Sequence, residues 1–299
     1  MTLLIKDVSK KFNDFTAVHD VNLEVPKGTM YGFLGGNGAG KTTTFRMILG
    51  LLPKTTGVVT FNDKPIDYNM TNTIGYLPEE RGLHPKLKVW EQVQYLAELK
   101  GMKRKDISEA LDYWLKRFDA FENKEKKIEA LSKGNQQKVQ LIAAIIHKPE
   151  LLILDEPFSG LDPVNVELLK AAVKDLKEQG TTIIFSSHRM EHVEELCDYI
   201  CIMNKGKAVV AGSLDQVKDD FGKKDVFIEG DYDLEFLKDF EGVEAFKTTK
   251  KGVKITISDE KHAESIYQNV TKLGYLKRFQ VAEPSLNDIF IAKVGDKHE

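Results

Sequence analysis

The chain has 299 residues, which is long for one average domain and allows one large domain or two modest ones. Because 41% of its residues are hydrophobic and 30% are charged, it can bury a sizeable core, and this argues against wholesale disorder. The 43 basic and 46 acidic residues give a formal charge of -3, so no overall positive field indicates a nucleic-acid partner.

The sequence predicts no segment that crosses a membrane. The N-terminal stretch MTLLIKDVSKKF lacks the long apolar run and small-residue cleavage site of a signal peptide. The longest apolar runs, LIAAII at 141–146 and LLIL at 151–154, are far shorter than the roughly 20 residues that span a bilayer. Cys197 and Cys201 match neither a CxxC redox pair nor a zinc site, and we expect reduced, buried thiols in a cytoplasmic protein.

Short apolar strands and turns alternate over residues 1–60. The strands LLIKDV, VNLEV and MYGFLG lead into a glycine-rich loop, which the helical pattern TTTFRMILGLL follows. This order of strand, glycine-rich turn and helix is typical of an α/β nucleotide-binding unit.

Helical periodicity replaces the strands from about Leu83 to Ala130, which predicts a helical insert within a larger α/β domain. Strands return at LLILDEP and TTIIFSS, and the helix between them is predicted to stop at Gly180. Continuous apolar strands of this kind suit the middle of a parallel sheet that is covered by helices on both faces.

The pattern changes again after about Lys218, at the charged stretch KDDFGKKD. The next segments follow a β-α-β-β-α-β order, VFIEG, DLEFLKDF, VEAFKTT, VKITISD, EKHAESIYQNVTKLG and LKRFQVAE, which is the order of ferredoxin-like domains. The tail PSLNDIFIAKV predicts a closing helix begun by Pro284. We therefore predict two domains, at residues 1–218 and 222–299.

The strongest local motif is GGNGAGKTT at 35–43, which fits the pattern G-x-x-x-x-G-K-[ST]. Gly35 and Gly40 let backbone amides converge on phosphate oxygens. Lys41 offers a positive charge to the β and γ phosphates, and the Thr42 hydroxyl can ligate Mg²⁺. The motif alone does not distinguish kinases, GTPases and ATPases.

A pair of acidic residues helps to distinguish a hydrolase from a kinase. Asp155 and Glu156 follow four apolar residues, so both carboxylates are expected at the C-terminal end of a buried strand, where α/β sheets bind ligands. Asp155 can hold the Mg²⁺ shell, while Glu156 can polarise a water for attack on the γ phosphate. This pair fits hydrolysis better than transfer to a second substrate.

Five motifs occur in a fixed order along the chain: GGNGAGKTT, LSKGNQQK at 131–138, LLILDEP, SGLD at 159–162, and His188 after a strand. In order and spacing they resemble the nucleotide-binding subunit of an ABC transporter, over about residues 1–218. The resemblance implies an α/β fold: a P-loop ABC ATPase domain with a parallel core sheet, an N-terminal antiparallel β portion and a helical subdomain at about 83–150, followed by the small α+β, ferredoxin-like domain. That second domain, with its PSLNDIF ending, resembles exporters of the sodium-extrusion and drug-resistance kind.

The resemblance implies a set of residues for ATP and Mg²⁺. Phe12 would stack on adenine; the alternative is an ordinary core residue, because Phe15 is nearby. The other contacts in the same chain would come from Gly35, Asn37, Gly38, Ala39, Gly40, Lys41, Thr42 and Thr43. Thr42, Asp155 and Glu79 would hold the metal ion, and Lys41, Glu156 and His188 would be catalytic.

The LSKGNQQK motif resembles the ABC signature. Ser132 is a natural N-cap for the following helix, so its hydroxyl and the amide of Gly134 can form an anion site at the positive end of a helix dipole. In the family this serine and a glycine contact the γ phosphate bound to the opposite subunit, and Asp162 faces that subunit. The resemblance therefore implies that each site needs two chains.

The sequence departs from the family pattern at several positions. Lys133 and Asn135 replace the commoner glycine and glutamine, and Lys138 replaces an arginine. In IGYLPEE, Glu79 stands where the family usually has glutamine. A carboxylate can still ligate Mg²⁺ or orient water, and we hypothesise that Glu79 senses the state of the site between nucleotide and membrane subunit.

The preferred interpretation is a cytoplasmic Mg-ATPase subunit, peripheral on the inner face of the cell membrane, that closes as a homodimer or heterodimer around two ATP molecules. A separate transmembrane permease subunit would bind the surface from about Glu79 to Lys88.

One alternative is a soluble ABC ATPase acting on nucleic acid or ribosomes; such proteins usually carry two cassettes, a long coiled coil or zinc cysteines. A small-molecule P-loop kinase is another, but it leaves LSKGNQQK and SGLD unexplained. We expect no nucleic-acid partner.

Three roles are open for the C-terminal domain: a sensor of a regulatory ligand, a dimer clamp, or a contact for the membrane subunit. We expect a dimer or partner contact, because the sequence shows no convergent polar cluster there.

Overall fold

The structure is a computed structural model that describes residues 3–67, 70, 72–80 and 82–295. The chain divides into two compact units, Met1–Gly212 and Ser213–Glu299. The ends of both predicted domains, at 1–2 and 296–299, lie outside the described residues, and so does Arg81 of the predicted permease surface.

The elements of the first unit follow one another from an N-terminal β region into alternating strands and helices. In chain order they are β1 (Leu3–Phe12), β2 (Phe15–Val25), β3 (Met30–Leu34), α1 (Lys41–Ile48), β4 (Thr56–Phe61), β5 (Lys64–Pro65), β6 (Ile74–Leu77), α2 (Val89–Leu99), α3 (Arg104–Arg117), α4 (Lys133–Ile145), β7 (Leu151–Leu154), α5 (Pro163–Glu178), β8 (Thr182–Ser187), α6 (Met190–Leu196), β9 (Tyr199–Asn204) and β10 (Lys207–Ser213).

The described residues of the first unit form two sheets. In the N-terminal sheet the strand order is β2-β1-β4-β5, and these neighbours pair antiparallel. Leu3 and Ile5 of β1 are buried while Leu4 between them is exposed, as expected for a strand with one face on the core. The resemblance-based prediction of an N-terminal antiparallel portion is confirmed.

The larger sheet has the order β10-β9-β3-β8-β7-β6, and the strands from β9 to β6 run parallel. Strands β7 and β8 are buried along their whole length, which explains why their sequences are continuously apolar rather than alternating. The parallel core sheet predicted from LLILDEP and TTIIFSS is therefore confirmed. Helix α5, which lies between these strands in the chain, ends at Glu178, and Gly180 has φ 94° just beyond it.

Residues 83–130, all of which the structure describes, form the predicted helical region. They contain α2, α3 and two short 3-10 helices, with one isolated β-bridge between Lys88 and Lys127. Ile107, Leu111 and Leu115 are the buried residues of α3, and their spacing of four places them on one helix face.

The second unit begins with α7 (Leu214–Phe221) and continues through β11 (Lys224–Gly230), β12 (Val243–Thr248), β13 (Gly252–Ile257), α8 (Lys261–Thr271), β14 (Leu276–Ala282) and α9 (Leu286–Val294). The sequence-based boundary at residue 218 falls inside α7, because the charged stretch there is helical. Its sheet has the order β12-β13-β11-β14 with antiparallel neighbours throughout. This unit is a small antiparallel α+β domain, as predicted.

Two details of the second unit differ from the prediction. The segment DLEFLKDF forms only a 3-10 helix, Glu235–Asp239, rather than an α-helix. The Asp233 carboxylate accepts from Glu235 N at 2.9 Å, a local turn bond that competes with regular helix. The closing helix α9 is capped by Ser285, whose hydroxyl accepts from Asp288 N, so Pro284 precedes the cap instead of beginning the helix.

Two predictions about the whole chain can be compared with the structure. In its described part, no helix combines the length and the apolar character needed to span a membrane. Cys197 and Cys201 are free and buried, as predicted. Burial raises the pKa of the Cys201 thiol to about 12, so it carries little reactive thiolate.

Candidate functional site

The glycine-rich loop connects the end of β3 to the start of α1. Gly35 and Gly40 have φ values of 153° and 103°, which side-chain-bearing residues rarely adopt. A Cβ at Gly35 would lie 2.6 Å from Met203 O, too close for any side chain. Residues 36–38 at the turn are exposed, so this part of the backbone is open to a ligand.

Lys41 is the first residue of α1 and is only 7% exposed. Its Nζ donates to Gly35 O at 2.7 Å and to Gly36 O at 3.3 Å, so the ammonium is held against the loop backbone. The first amides of α1 lack helical acceptors and carry the positive end of the helix dipole. A phosphate in this loop would meet both the ammonium and these amides.

The loop forms one wall of a cavity of about 440 Å³. Residues 36–43 line it, together with Phe12, Phe15, Ala17, Glu79, Asp155 and Glu156. The fold thus brings the predicted phosphate loop, the predicted aromatic residue and the three predicted acidic residues to one place. Gly35 lies directly before the lining part of the loop.

Asp155 follows β7 and is 1% exposed. Its Oδ1 accepts from Ser186 Oγ at 2.6 Å, whereas its Oδ2 is buried and has no hydrogen-bond partner among the described residues. An unpaired buried carboxylate oxygen is costly, and a bound cation would satisfy it. The described residues contain no cluster of three or more His, Cys, Asp or Glu side chains able to hold a metal ion. A hydroxyl and one or two carboxylates are nevertheless typical of Mg²⁺, which keeps water and phosphate oxygens as its other ligands.

Glu156 occupies a strained backbone position with φ 50°. Its Oε2 lies 2.9 Å from Nδ1 of His188, which follows β8. Burial raises the pKa of the Glu156 carboxyl above its ordinary value, while His188 and Lys41 act in the opposite direction. The carboxylate and imidazole, predicted separately from the sequence, are therefore in direct contact.

Ser186 is a site residue that the sequence reasoning missed. Its hydroxyl donates to Asp155 Oδ1 and accepts from Glu156 N at 2.9 Å. The available signal was the serine pair that ends the buried strand TIIFSS just before His188.

Phe12 and Phe15 are cross-strand partners at the end of the β1–β2 hairpin. Directly opposite residues point to the same face of a sheet, and both rings border the cavity. Phe12 is 44% exposed and Phe15 is 68% exposed, so neither is a core residue. Lys10 Nζ lies 4.8 Å from the centre of the Phe12 ring.

Ser132, Gly134 and Asp162 lie apart from this cavity, whose lining includes none of them. Ser132 caps α4 by accepting from Asn135 N at 3.3 Å, and Asp162 caps α5 by accepting from Asn165 N at 3.0 Å. A Cβ added at Gly134 would be 3.2 Å from Asn165 Nδ2, so the two capped helix starts are neighbours. The chain therefore presents a second group of predicted nucleotide residues away from its own P-loop.

The second unit holds a polar cavity of about 670 Å³, which the sequence reasoning did not anticipate. Its lining includes Asp231, Asp233, Lys250, Lys251 and Lys277. The expectation that no polar cluster converges in this domain was wrong, because the residues come from separate turns and strand ends that the sheet brings together.

Comparisons with known proteins give matches in both units of the chain. A model of the ABC transporter family matches residues 18–159, and a model described as the C-terminal domain of DrrA1-3-like ATP-binding proteins matches residues 212–294. YhaQ of Bacillus subtilis (strain 168), an uncharacterized ABC transporter ATP-binding protein, is 55% identical over 297 residues, which are 99% of this chain and 100% of YhaQ.

Two more distant matches are informative. The linearmycin resistance ATP-binding protein LnrL of Bacillus subtilis (strain 168) is 36% identical over 218 residues, 71% of this chain and 69% of LnrL. A solved structure described as the ATP-binding subunit of an ABC transporter is 31% identical with a TM-score of 0.70, covering 74% of this chain and 94% of that one.

Proposed function

Because the chain belongs to the ATP-binding proteins of ABC transporters, we propose that it hydrolyses Mg-ATP as a dimer and couples hydrolysis to export by a separate transmembrane permease. The observation that carries this proposal is the cavity whose lining joins the P-loop, Asp155 with its unpaired oxygen, and Glu156, which His188 contacts.

Glu156 is the proposed general base. A raised pKa makes its carboxylate a better proton acceptor than an exposed one, and His188 holds one of its two oxygens. The other oxygen is available to take a proton from water as that water attacks the γ phosphate. Lys41 and the loop amides would stabilise charge on the phosphate oxygens, which is where most of the catalytic effect is expected.

The proposed metal ligands are the Thr42 hydroxyl and the Asp155 and Glu79 carboxylates, all of which border the cavity. A magnesium ion held there would neutralise charge on the β and γ phosphates. Glu79 is exposed on the segment after β6, so it is accessible to nucleotide on one side and close to the predicted permease surface on the other.

Two chains are proposed to complete each site. Ser132, Gly134 and Asp162 lie outside the chain's own cavity, and Ser132 caps α4, whose N-terminus can bind an anion. In a dimer these residues would face the γ phosphate bound by the partner. The partner is a second copy or a related subunit.

The permease is proposed to dock in an apolar groove of about 250 Å³ between β6, α2 and α4, lined by Tyr76, Pro78, Leu83, Leu96, Leu99, Ala143 and further residues. Gln140 Oε1 and His147 Nδ1, on residues lining this groove, are buried without a hydrogen-bond partner among the described residues. Burial lowers the pKa of His147 to about 4, so its ring is neutral at pH 7. A docking segment that is apolar and carries donors would satisfy both atoms.

Export and location are the finer parts of the proposal. The DrrA-like C-terminal domain and the similarity to LnrL, a resistance protein by its name, support export. Docking to the permease would hold the chain at the cytoplasmic face of the membrane, and no nucleic-acid partner is proposed.

The proposal is tested by a pull-down of tagged Glu156→Gln protein with Mg-ATP from gently solubilised native membranes. Loss of the base is expected to reduce ATP turnover by at least 100-fold, trap the ATP-bound dimer and retain its partner. Mass spectrometry should then identify a polytopic membrane protein in stoichiometric amount.

Glu178→Gln is the matched control, because it removes an exposed carboxylate at the end of α5, outside the lining of the cavity and outside the proposed permease surface. It should turn over ATP normally and retain no partner. Ribosomal or nucleic-acid-bound partners, without a membrane protein, would overturn the transporter proposal, and undiminished turnover by Glu156→Gln would overturn the role of Glu156.

A further inference from the structure

Two glutamines on one face of α4 make the contacts that carry this inference. Gln137 and Gln140 are three residues apart, so their side chains lie on the same side of the helix. Each is only 5% exposed. Gln137 Nε2 donates to Pro157 O at 3.1 Å, and Gln140 Nε2 donates to Pro78 O at 2.9 Å and, more weakly, to Glu80 O at 3.4 Å.

The positions of these carbonyl groups are significant. Pro157 directly follows Glu156, and Pro78 directly precedes Glu79. Both glutamates border the nucleotide cavity, although they come from different segments, after β7 and after β6. One face of α4 therefore holds the backbone beside both cavity carboxylates.

In the described part of the chain, Gln140 contributes its Nε2 donor to the segment around Glu79. Its Oε1 is buried and has no partner in the described part of the chain, which is an unfavourable arrangement for an amide. An apolar side chain of similar size would avoid that cost but would leave the Pro78 carbonyl without this donor. The helix thus carries a buried polar group whose contacts within the chain are those to the segment around Glu79.

We propose that Gln137 and Gln140 are positioning residues that fasten the Glu156 and Glu79 segments to α4. This inference rests on the roles proposed above for the two glutamates. The N-terminus of α4 carries Ser132, so a phosphate bound there in a dimer would bear on both carboxylates through this pair. The glutamines act through the backbone and touch no nucleotide themselves.

Lys138 provides a matched control on the same helix. It is also 5% exposed, and its Nζ donates to a carbonyl, Phe118 O, at 2.7 Å. Phe118 lies after α3 and does not line the nucleotide cavity. Losing this bond should cost stability without moving either glutamate.

The test compares Gln137→Met, Gln140→Met and Lys138→Met in the full-length chain, with Tm, kcat and KM for Mg-ATP as readouts. Each glutamine variant should lower kcat by about tenfold, because small displacements of a catalytic group are costly, while KM stays within about twofold. Lys138→Met should lower Tm about as much as the glutamine variants do, because it also loses a buried hydrogen bond, and should leave kcat within about twofold of wild type. Gln137→Asn and Gln140→Asn keep the amide but shorten its reach, and they should show the same loss if a Met variant does not fold.

The proposal fails if the folded glutamine variants keep wild-type kcat, or if Lys138→Met loses as much kcat as they do. Glu156→Gln is measured in parallel. Retained ATP turnover in Glu156→Gln would overturn the proposed base. Loss of turnover in Glu156→Gln, with wild-type kcat in the Gln137 and Gln140 variants, would overturn only the positioning role.

Discussion

At the scale of single residues, the Ser186 hydroxyl organises both acidic groups at the end of β7. It donates to Asp155 Oδ1, which leaves Oδ2 as the free acceptor, and it accepts from Glu156 N, which helps to hold the backbone at φ 50°. One hydroxyl thus helps to direct the unpaired oxygen of Asp155 and to set the strained position of Glu156. Strain of this kind persists only where the surroundings determine the geometry.

Two phenylalanines at the end of the β1–β2 hairpin are expected to bind the adenine base of ATP. Phe12 and Phe15 face the same cavity and are both exposed, so we expect both rings to contact adenine. Stacking of a base on an aromatic ring contributes about 1–3 kcal/mol. Phe15→Ala should therefore weaken Mg-ATP binding at least fivefold, measured by calorimetry on the full-length chain.

Inorganic tripolyphosphate separates stacking from an indirect effect on the loop. It has no base, so its affinity should be the same for Phe15→Ala as for the unmodified chain. Phe15→Tyr should restore ATP affinity. An unchanged ATP affinity in Phe15→Ala, with a loss only in Phe12→Ala, would leave Phe12 as the sole platform.

Sequence motifs predicted residue identities better than residue partners. The motif GGNGAGKTT predicted the loop and Lys41, because the turn, the helix start and the charge that bind phosphate all lie within nine consecutive residues. The Ser186 contacts could not be predicted in the same way, since β7 and β8 become neighbours only when the sheet forms. The glutamine contacts to Pro78 and Pro157 were missed for the same reason, because they join α4 to segments far away in the sequence.

At the scale of elements, a polar network fixes α9 to the sheet of the second unit. Lys254 Nζ lies 2.8 Å from Asp225 Oδ2 and 2.8 Å from Asp288 Oδ2. Ser285 Oγ donates to Asp288 Oδ2 at 2.6 Å, and Thr256 Oγ1 donates to Asp225 Oδ1 at 2.8 Å. The PSLNDIF ending therefore has an internal structural role as well as its family resemblance.

Lys254→Met should loosen this helix. Asp225 is 2% exposed, so removing its cation leaves a buried charge whose remaining side-chain partner among the described residues is the Thr256 hydroxyl, at a cost of about 2–4 kcal/mol. Hydrogen exchange of the full-length chain should show faster exchange in peptides from α9 and β13. Lys277→Met breaks an exposed pair with Asp231 and should change exchange little, because exposed ion pairs contribute little to stability. Equal exchange in the two variants would contradict this account.

Elements whose apolar pattern reflects a buried face were predictable, and the segment DLEFLKDF was not. The repeat of apolar residues in α3 and the unbroken apolar runs of β7 and β8 follow from which faces are buried. The segment DLEFLKDF has only two buried apolar residues, Leu234 and Leu237, so its helical pattern is weak and the local Asp233 turn competes with it.

At the scale of the whole molecule, the nucleotide cavity is formed by the first unit alone. The second unit is therefore unnecessary for assembling the P-loop, Asp155 and Glu156. Its polar cavity, lined by acidic and basic side chains, gives weight to a ligand-sensing role beside the partner contact that we proposed from the sequence.

Ending the chain at Gly212 distinguishes these roles, because this position separates the two units and removes α7 together with its domain. We expect the shortened chain to bind Mg-ATP with an affinity within about threefold of the full-length chain, since every residue lining the nucleotide cavity remains. The same shortening in a Glu156→Gln background tests the contact roles. If the second unit is a dimer contact, ATP-dependent dimerisation should be lost in sedimentation. If it is a permease contact, the membrane protein should no longer co-purify. Retention of dimerisation and of the membrane protein would assign the second unit to ligand sensing. Loss of Mg-ATP binding would instead show that the first unit does not fold alone. Dimerisation and co-purification would then be measured in the full-length chain with cavity variants such as Lys250→Ala.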